Sequence, residues 1–140
     1  MKRIVIFASG SGTNAENLIK YFQNKNNASV VLVLTNNPSA KVLERCKTLK
    51  VSAMSFNKVA FTETNDVLNL LKSTNPDLIV LAGFLWKFPD AILHEFPNKV
   101  INIHPALLPK YGGKGMYGVR VHEAIVANKE FETGITIHYV

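Results

Sequence analysis

Two hydrophobic patterns alternate along the chain. Short apolar runs rich in β-branched residues, such as 3–8 and 78–82, are typical of buried strands. Between these runs apolar residues recur at helical spacing, as Ala15, Ile19 and Phe22 do. Together the patterns predict strands at 3–8, 30–34, 51–56, 78–82, 100–103 and 133–140, and helices at 14–23, 40–49, 63–73, just after residue 89 and at 121–127.

Strands and helices that alternate in this way indicate βαβ units. Right-handed crossovers then build a mostly parallel sheet that is covered by helices on both faces. We therefore expect an α/β fold with a doubly wound, Rossmann-like sheet, formed as a single domain by residues 1–140. Segment 111–118 holds four glycines and is predicted to be a loop.

The composition is typical of a globular protein. The 140 residues are 47% hydrophobic, which excludes disorder as the main state. No apolar run reaches the roughly 18 residues that a spanning helix needs, and residues 1–10 do not resemble a secretory signal. We therefore expect a cytoplasmic protein with no membrane partner. The single cysteine, Cys46, can form no internal disulfide and is interpreted as a core residue.

The charge balance is positive, with 16 basic and 10 acidic residues and a net charge of +6. Most of the basic residues are lysines, scattered singly without a basic run or an arginine-rich strip. This distribution argues against a nucleic-acid partner, because phosphate-backbone binding needs clustered positive charge. The mild excess is compatible with an anionic small molecule.

A glycine-rich loop follows the first predicted strand. Segment 10–15 matches G-x-G-x-x-A between a strand and a helix, a context in which backbone N–H groups bind phosphate. A dinucleotide site would need an acidic residue ~20 positions later, yet no Asp or Glu lies between Glu16 and Glu44. A single phosphate is therefore favoured. The structural alternative is a tight turn in which Thr13 caps the helix.

Asn102 and His104 form a second candidate motif. They alternate along a predicted strand, so both side chains point to the same side of the sheet. An asparagine can donate to a developing oxyanion and an imidazolium can donate a proton, a combination suited to addition to a carbonyl. The alternative is a purely structural histidine beside Pro105.

Other residues carry weaker signals. His122 or His138 could join His104 in a metal site, but no carboxylate or thiolate lies at ligand spacing, so no metal is predicted. Trp86 and Phe88 could be ordinary surface or core aromatics, or they could bracket a flat heterocycle.

The candidate segments 9–14, 83–88 and 102–109 all follow the carboxyl ends of predicted strands. Ligands of parallel α/β sheets bind outside these ends. The three segments are therefore expected to meet in one site.

Three motifs, in this order and spacing, resemble the phosphoribosylglycinamide formyltransferase family of purine synthesis. They are SGSGTN at 9–14, LAGF at 81–84 and NIHPALLPK at 102–110. The third is typical of folate-dependent formyl transfer in general, whereas the first indicates a phosphoribosyl substrate. The resemblance runs from the first strand to Val140.

The resemblance implies substrate contacts at specific positions. The ribose phosphate of glycinamide ribonucleotide would lie on the amides of Gly12, Thr13 and Asn14. Folate contacts, largely through the main chain, would be made by Leu85, Trp86, Lys87, Phe88 and Asn102. The family often has an arginine at the position of Trp86, so a side-chain contact there is not carried over.

The resemblance assigns catalysis to Asn102 and His104. The amine of glycinamide ribonucleotide would attack the formyl carbon of 10-formyltetrahydrofolate, the co-substrate, without a metal. Asn102 and protonated His104 would stabilise the tetrahedral oxyanion. His104 would then pass a proton to the leaving folate nitrogen.

The family pattern continues beyond Val140, with a loop carrying an aspartate that raises the pKa of the catalytic histidine, another strand and a long helix. Residues 1–140 are therefore expected to be the N-terminal portion of the family's fold, incomplete at its C-terminus. We expect that this portion can form a homo-oligomer. We also expect it to be inactive if the aspartate loop is essential for formyl transfer. The alternatives are a phosphoribosyl-binding module without catalysis and an enzyme similar to methionyl-tRNA formyltransferase.

Overall fold

The apolar runs form a central sheet. The computed structural model describes residues 1–105, 108, 112, 119–127 and 134–140, and for 119 and 120 the main chain alone. The strands are β1 (Lys2–Phe7), β2 (Ala28–Thr35), β3 (Ala53–Ser55), β4 (Leu78–Ala82), β5 (Val100–His104) and β6 (Thr136–Tyr139). Across the described residues the sheet has the order β3-β2-β1-β4-β5-β6.

The sheet is parallel except at one edge. β1 pairs in parallel with β2 and β4, β2 with β3, and β4 with β5, whereas β6 runs antiparallel to β5. The predicted α/β fold with a mostly parallel sheet is confirmed. The alternating pattern of β6 cannot predict whether it runs parallel or antiparallel to β5, because the pattern is the same in both cases.

Helices connect the strands. They are α1 (Thr13–Gln23), α2 (Lys41–Leu49), α3 (Asp66–Thr74), α4 (Asp90–Glu95) and α5 (Val119–Ala127), with a π-helical turn at Val59–Glu63. The prediction that a helix starts at residue 63 is wrong by three residues. Thr64 is extended and its N–H donates to the carbonyl of Val59 over 2.9 Å, which closes the π-helical turn and ends it before α3 begins.

The core lies on both faces of the sheet, as the period-two alternation within β1 requires. Ile4 and Ile6 face the layer formed by α1 and α2, which also buries Cys46 completely, as predicted. Val5 and Phe7 face the layer formed by α3 and α4. Full burial of one such side chain contributes about 1.5–3 kcal/mol, so neither layer can be removed without unfolding the sheet.

The strand order determines where loops can meet. The chain passes from β1 outward through β2 and β3 and then returns to β4 on the other side of β1. The loops after β1 and β4 therefore diverge to opposite faces and leave a crevice between them, the usual ligand site of such sheets.

The glycine-rich segment predicted as a loop at 111–118 lies, apart from Gly112, outside the described residues.

Candidate active site

The loop after β1 ends in a left-handed turn at Gly12, with φ +75° and ψ 26°, and α1 begins at the next residue. The N-cap residue is Gly12, which has no side chain to cap the helix, so the alternative in which Thr13 acts as the cap is wrong. The Thr13 hydroxyl lies 3.2 Å from the Ser11 hydroxyl instead. The first-turn N–H groups of α1 thus have no side-chain acceptor from a cap, an arrangement suited to an anion.

Gly12 is required by packing as well as by backbone conformation. A Cβ placed on it would lie 2.5 Å from Cβ of Val42 and 3.0 Å from the Val42 Cα. The N–H of Val42 also donates to the carbonyl of Gly10 over 3.2 Å. The loop therefore lies directly on the start of α2, and no space remains for a larger residue at position 12.

An arginine on α2 forms hydrogen bonds that fix the same loop. Arg45 donates from Nε to the carbonyl oxygen of Ser11 and from Nη1 to the carboxylate of Glu16. Lys20 donates to the other carboxylate oxygen of Glu16 over 2.7 Å. Hydrogen bonds from Lys20 and then Arg45 lower the pKa of Glu16 below its ordinary 4.5. The i,i+4 spacing of Glu16 and Lys20 predicts their contact, but no local signal identifies Arg45.

Ser9 connects three loops. Its hydroxyl donates to Oδ1 of Asn36 over 2.6 Å and accepts the N–H of Leu85 over 2.9 Å. Its own N–H donates to the carbonyl of Gly83 over 3.1 Å. The loops that follow β1, β2 and β4 are therefore fixed relative to one another.

Asn102 and His104 lie at the carboxyl end of β5 and are half-buried. Beside them is a cavity of about 700 Å³ lined by Ser9, Gly10, Ser11, Thr13, Asn14, Gly83, Phe84, Leu85, Asn102, Ile103, His104, Pro105, His122 and Ile135. The described parts of the three segments expected to meet therefore do meet. The cavity has a helix N-terminus on one side and an amide and an imidazole on the other.

His138 is a residue that sequence reasoning did not connect to Asn102. The two are direct cross-strand partners in the β5–β6 pair, and Nε2 of His138 lies 3.2 Å from Nδ2 of Asn102. His122 lines the cavity. Within the described ranges no group of three or more His, Cys, Asp and Glu side chains is placed to hold a metal ion.

The segment 85–88 borders a second hollow, of about 460 Å³, together with Lys58, Thr62, Pro89 and Asp90. Leu85 is 54% exposed and also lines the larger cavity. Phe88 is only 3% exposed and packs edge-to-face on Phe7 at a centroid distance of 5.0 Å. The interpretation in which the Phe88 ring brackets a heterocycle is therefore wrong, because that ring belongs to the core.

Trp86 differs from Phe88. Its ring is half-buried, lies 6.1 Å from the ring of Phe56, and carries the ammonium group of Lys58 at 5.2 Å from its centroid. Lys87 is exposed. Of this segment, the side chains of Leu85, Trp86 and Lys87 remain accessible.

A doubly wound sheet with a glycine loop and an Asn–His strand end around one cavity places the chain in the class of doubly wound α/β proteins. Residues 2–140 match the family described as formyl transferase, and the chain belongs to that family.

None of the helices within the described residues is long and apolar enough to cross a membrane.

The relatives have more specific names. The chain is 33% identical over 147 residues to a phosphoribosylglycinamide formyltransferase of Bacillus subtilis, covering 100% of this chain and 72% of the relative. It is 34% identical to the chloroplastic enzyme of that name from Arabidopsis thaliana, covering 99% of this chain and 50% of the relative. It thus spans about half the length of the plant protein.

Solved structures agree with the fold. The crystal structure of glycinamide ribonucleotide transformylase 1 from Geobacillus kaustophilus superimposes with a TM-score of 0.86 at 36% identity, covering 100% of this chain and 74% of that one. Phosphoribosylglycinamide formyltransferase from Coxiella burnetii gives a TM-score of 0.84 at 30% identity, covering 99% and 65%. The predicted resemblance is confirmed at the level of the family.

Proposed function

We propose that the protein transfers a formyl group from 10-formyltetrahydrofolate to the amine of glycinamide ribonucleotide. The observation that carries this proposal is the convergence of the glycine loop with Asn102 and His104 on one cavity, in a chain of the formyl transferase family. From the sequence, neither motif alone is sufficient to assign a function. Their shared cavity provides a phosphate site and a carbonyl-activating pair within reach of one ligand.

The phosphate of the nucleotide binds the first turn of α1. Gly12, Thr13 and Asn14 present main-chain N–H groups there, and the positive end of the helix macrodipole favours a dianion. Arg45 keeps the loop in place by donating a hydrogen bond to the Ser11 carbonyl. The loop therefore offers the phosphate a preformed set of donors.

The folate donor lies along the main chain of 85–88. Leu85 lines both hollows, so a donor bound along this segment can direct its formyl group from the smaller hollow into the larger cavity. Asn102 then faces the formyl oxygen. Recognition through main-chain groups tolerates Trp86, whose side chain packs on Phe56.

The reaction is a nucleophilic addition followed by elimination. The amine nitrogen bonds to the formyl carbon, and the carbonyl π electrons move to oxygen, where Nδ2–H of Asn102 and protonated His104 donate to the oxyanion. When the carbonyl re-forms, the bond to the folate nitrogen breaks and His104 gives that nitrogen a proton. The proton released by the attacking amine restores the imidazolium, so charge and protons balance.

An isotope-transfer assay tests this function. Labelled formyl group should pass from 10-formyltetrahydrofolate to glycinamide ribonucleotide, and His104→Ala or Asn102→Ala should lower turnover on the order of 100-fold with little change in substrate binding. The exposed His94 on α4 is the matched control, and His94→Ala should retain wild-type turnover. Wild-type turnover in either cavity variant would reject the mechanism.

Phosphate binding can be tested without catalysis. On addition of glycinamide ribonucleotide, the amide NMR signals of Gly12, Thr13 and Asn14 should shift strongly. The first-turn amides of α3, beginning at Asp66, are the control, because they belong to a helix N-terminus outside the cavity. Equal shifts at both helices would mean nonspecific anion binding.

A further inference from the structure

His138 and Asn102 are held face to face by the sheet. In the antiparallel β5–β6 pair each residue is the direct partner of the other, so their side chains leave the sheet on the same side and in close contact. The contact joins Nε2 of the imidazole to Nδ2 of the amide over 3.2 Å, and the pair is partly buried. The proposed function uses this same amide as an oxyanion donor.

The second nitrogen of the imidazole determines which group donates in this contact. Nδ1 of His138 lies 3.0 Å from the carbonyl oxygen of Tyr139, and a carbonyl oxygen can only accept a hydrogen bond. Nδ1 therefore carries the hydrogen. In a neutral imidazole Nε2 is then the acceptor, and Asn102 must offer it an N–H.

This requirement breaks the near-symmetry of the amide. Without a partner, Asn102 could rotate by half a turn and exchange its NH₂ group with its carbonyl oxygen, which cannot stabilise an oxyanion. Turning Oδ1 toward Nε2 would place two acceptors against each other. One orientation of the amide is thus strongly favoured.

We propose that His138 is a positioning residue for Asn102, holding its amide in the orientation that keeps an N–H available to the reacting carbonyl. The inference rests on the proposed function for its catalytic consequence. His138 itself touches no reacting atom. Its effect is to remove a competing amide orientation before the substrate binds, so it should act on turnover rather than on substrate affinity.

Two substitutions separate positioning from packing. His138→Leu retains bulk but removes the acceptor, and it should lower kcat about tenfold with KM for both substrates unchanged, a smaller loss than that expected for removing an oxyanion donor. His138→Gln offers Oε1 as an acceptor and should recover most of the lost turnover. Equal kcat in wild type and His138→Leu, or a loss that glutamine does not reduce, would overturn the proposal.

A double-mutant cycle shows whether His138 acts through Asn102. In an Asn102→Ala background, His138→Leu should cause no further loss of kcat, because the amide that it positions is already gone. A general structural effect of the leucine would instead persist in that background. An undiminished effect therefore overturns the proposal even if every variant folds.

A spectroscopic measurement keeps this inference separate from the proposed function. Long-range ¹H–¹⁵N spectra of the wild-type protein should show the Nδ1–H tautomer of His138, and the Asn102 side-chain NH₂ signals should move in His138→Leu but not in His94→Leu. The Nε2–H tautomer would overturn the inference whether or not formyl transfer occurs. If the Nδ1–H tautomer is present but no formyl group is transferred, the proposed function is overturned. The catalytic role of the Asn102 amide is then overturned too, whereas the hydrogen bond between His138 and Asn102 is retained.

Discussion

The main-chain N–H of Leu85 donates to the hydroxyl oxygen of Ser9 over 2.9 Å, although 76 positions separate the two residues. The same hydroxyl donates to Asn36 over 2.6 Å. Two walls of the larger cavity are thus joined by one residue that is 8% exposed. The relative position of these two walls therefore depends on this hydroxyl.

Ser9→Ala should therefore lower stability. It leaves the Leu85 N–H and the Asn36 side chain without their partner in a partly buried place, a loss of about 1–3 kcal/mol. Ser73→Ala is the control, because the exposed Ser73 hydroxyl bonds to a carbonyl of its own helix. Urea unfolding of both variants measures the difference, and equal midpoints would show that the Ser9 contacts contribute nothing.

The glycines of the site should form a graded series when replaced by alanine. A Cβ at Gly10 would meet open space, and Gly10 has no positive φ. A Cβ at Gly83 would also meet open space, but Gly83 has φ +73°. Gly12 has φ +75°, and a Cβ there would clash with Val42. A positive φ costs alanine about 1–2 kcal/mol, and the clash adds to that cost. Unfolding free energies should thus fall in the order Gly10→Ala, Gly83→Ala, Gly12→Ala. A Gly12→Ala variant as stable as Gly10→Ala would contradict the geometry.

Leu85 and Phe88 should separate binding from stability within one proposed folate segment. Phe88→Ala should destabilise the protein by about 3–5 kcal/mol, because it empties a core site beside Phe7. Leu85→Ala should change stability by less than about 0.5 kcal/mol, since Leu85 is 54% exposed, yet it should raise KM for the folate donor. Thermal unfolding and steady-state kinetics measure the two effects. A strongly destabilised Leu85→Ala would mean that the loop packs differently.

Glu16 should titrate below its ordinary value. Lys20 and then Arg45 lower the pKa of this carboxylate, so their stabilising effect is fully present above the unfolded pKa and is lost as pH falls through the lower folded pKa. NMR titration should show the pKa of Glu16 rising in Lys20→Ala and remaining the same in Lys25→Ala, where the removed ammonium lies over Tyr21 instead. No change in Lys20→Ala would exclude the ion pair in solution.

The pattern of apolar residues is sufficient to predict the fold class and most of the elements, because a strand buried on both faces appears as a continuous apolar run, whereas a helix packed on one side repeats its apolar residues with a period of 3.6. The buried run at β4 and the amphipathic α1 are clear examples. The sequence also predicts the glycine loop, because a left-handed turn such as that at Gly12 favours glycine. These features are local and follow from residues near one another in the chain.

Contacts across the fold were decided only by the tertiary structure. Phe88 and Trp86 are two residues apart and both aromatic, yet one is core and the other half-buried, because the loop after β4 turns one ring toward Phe7. Arg45 reaches Ser11 only because α2 packs beside α1. His138 meets Asn102 because β6 pairs antiparallel to β5. Local periodicity reports which face of an element is buried, but the partner across that face depends on strand order and direction, which the whole chain settles through packing.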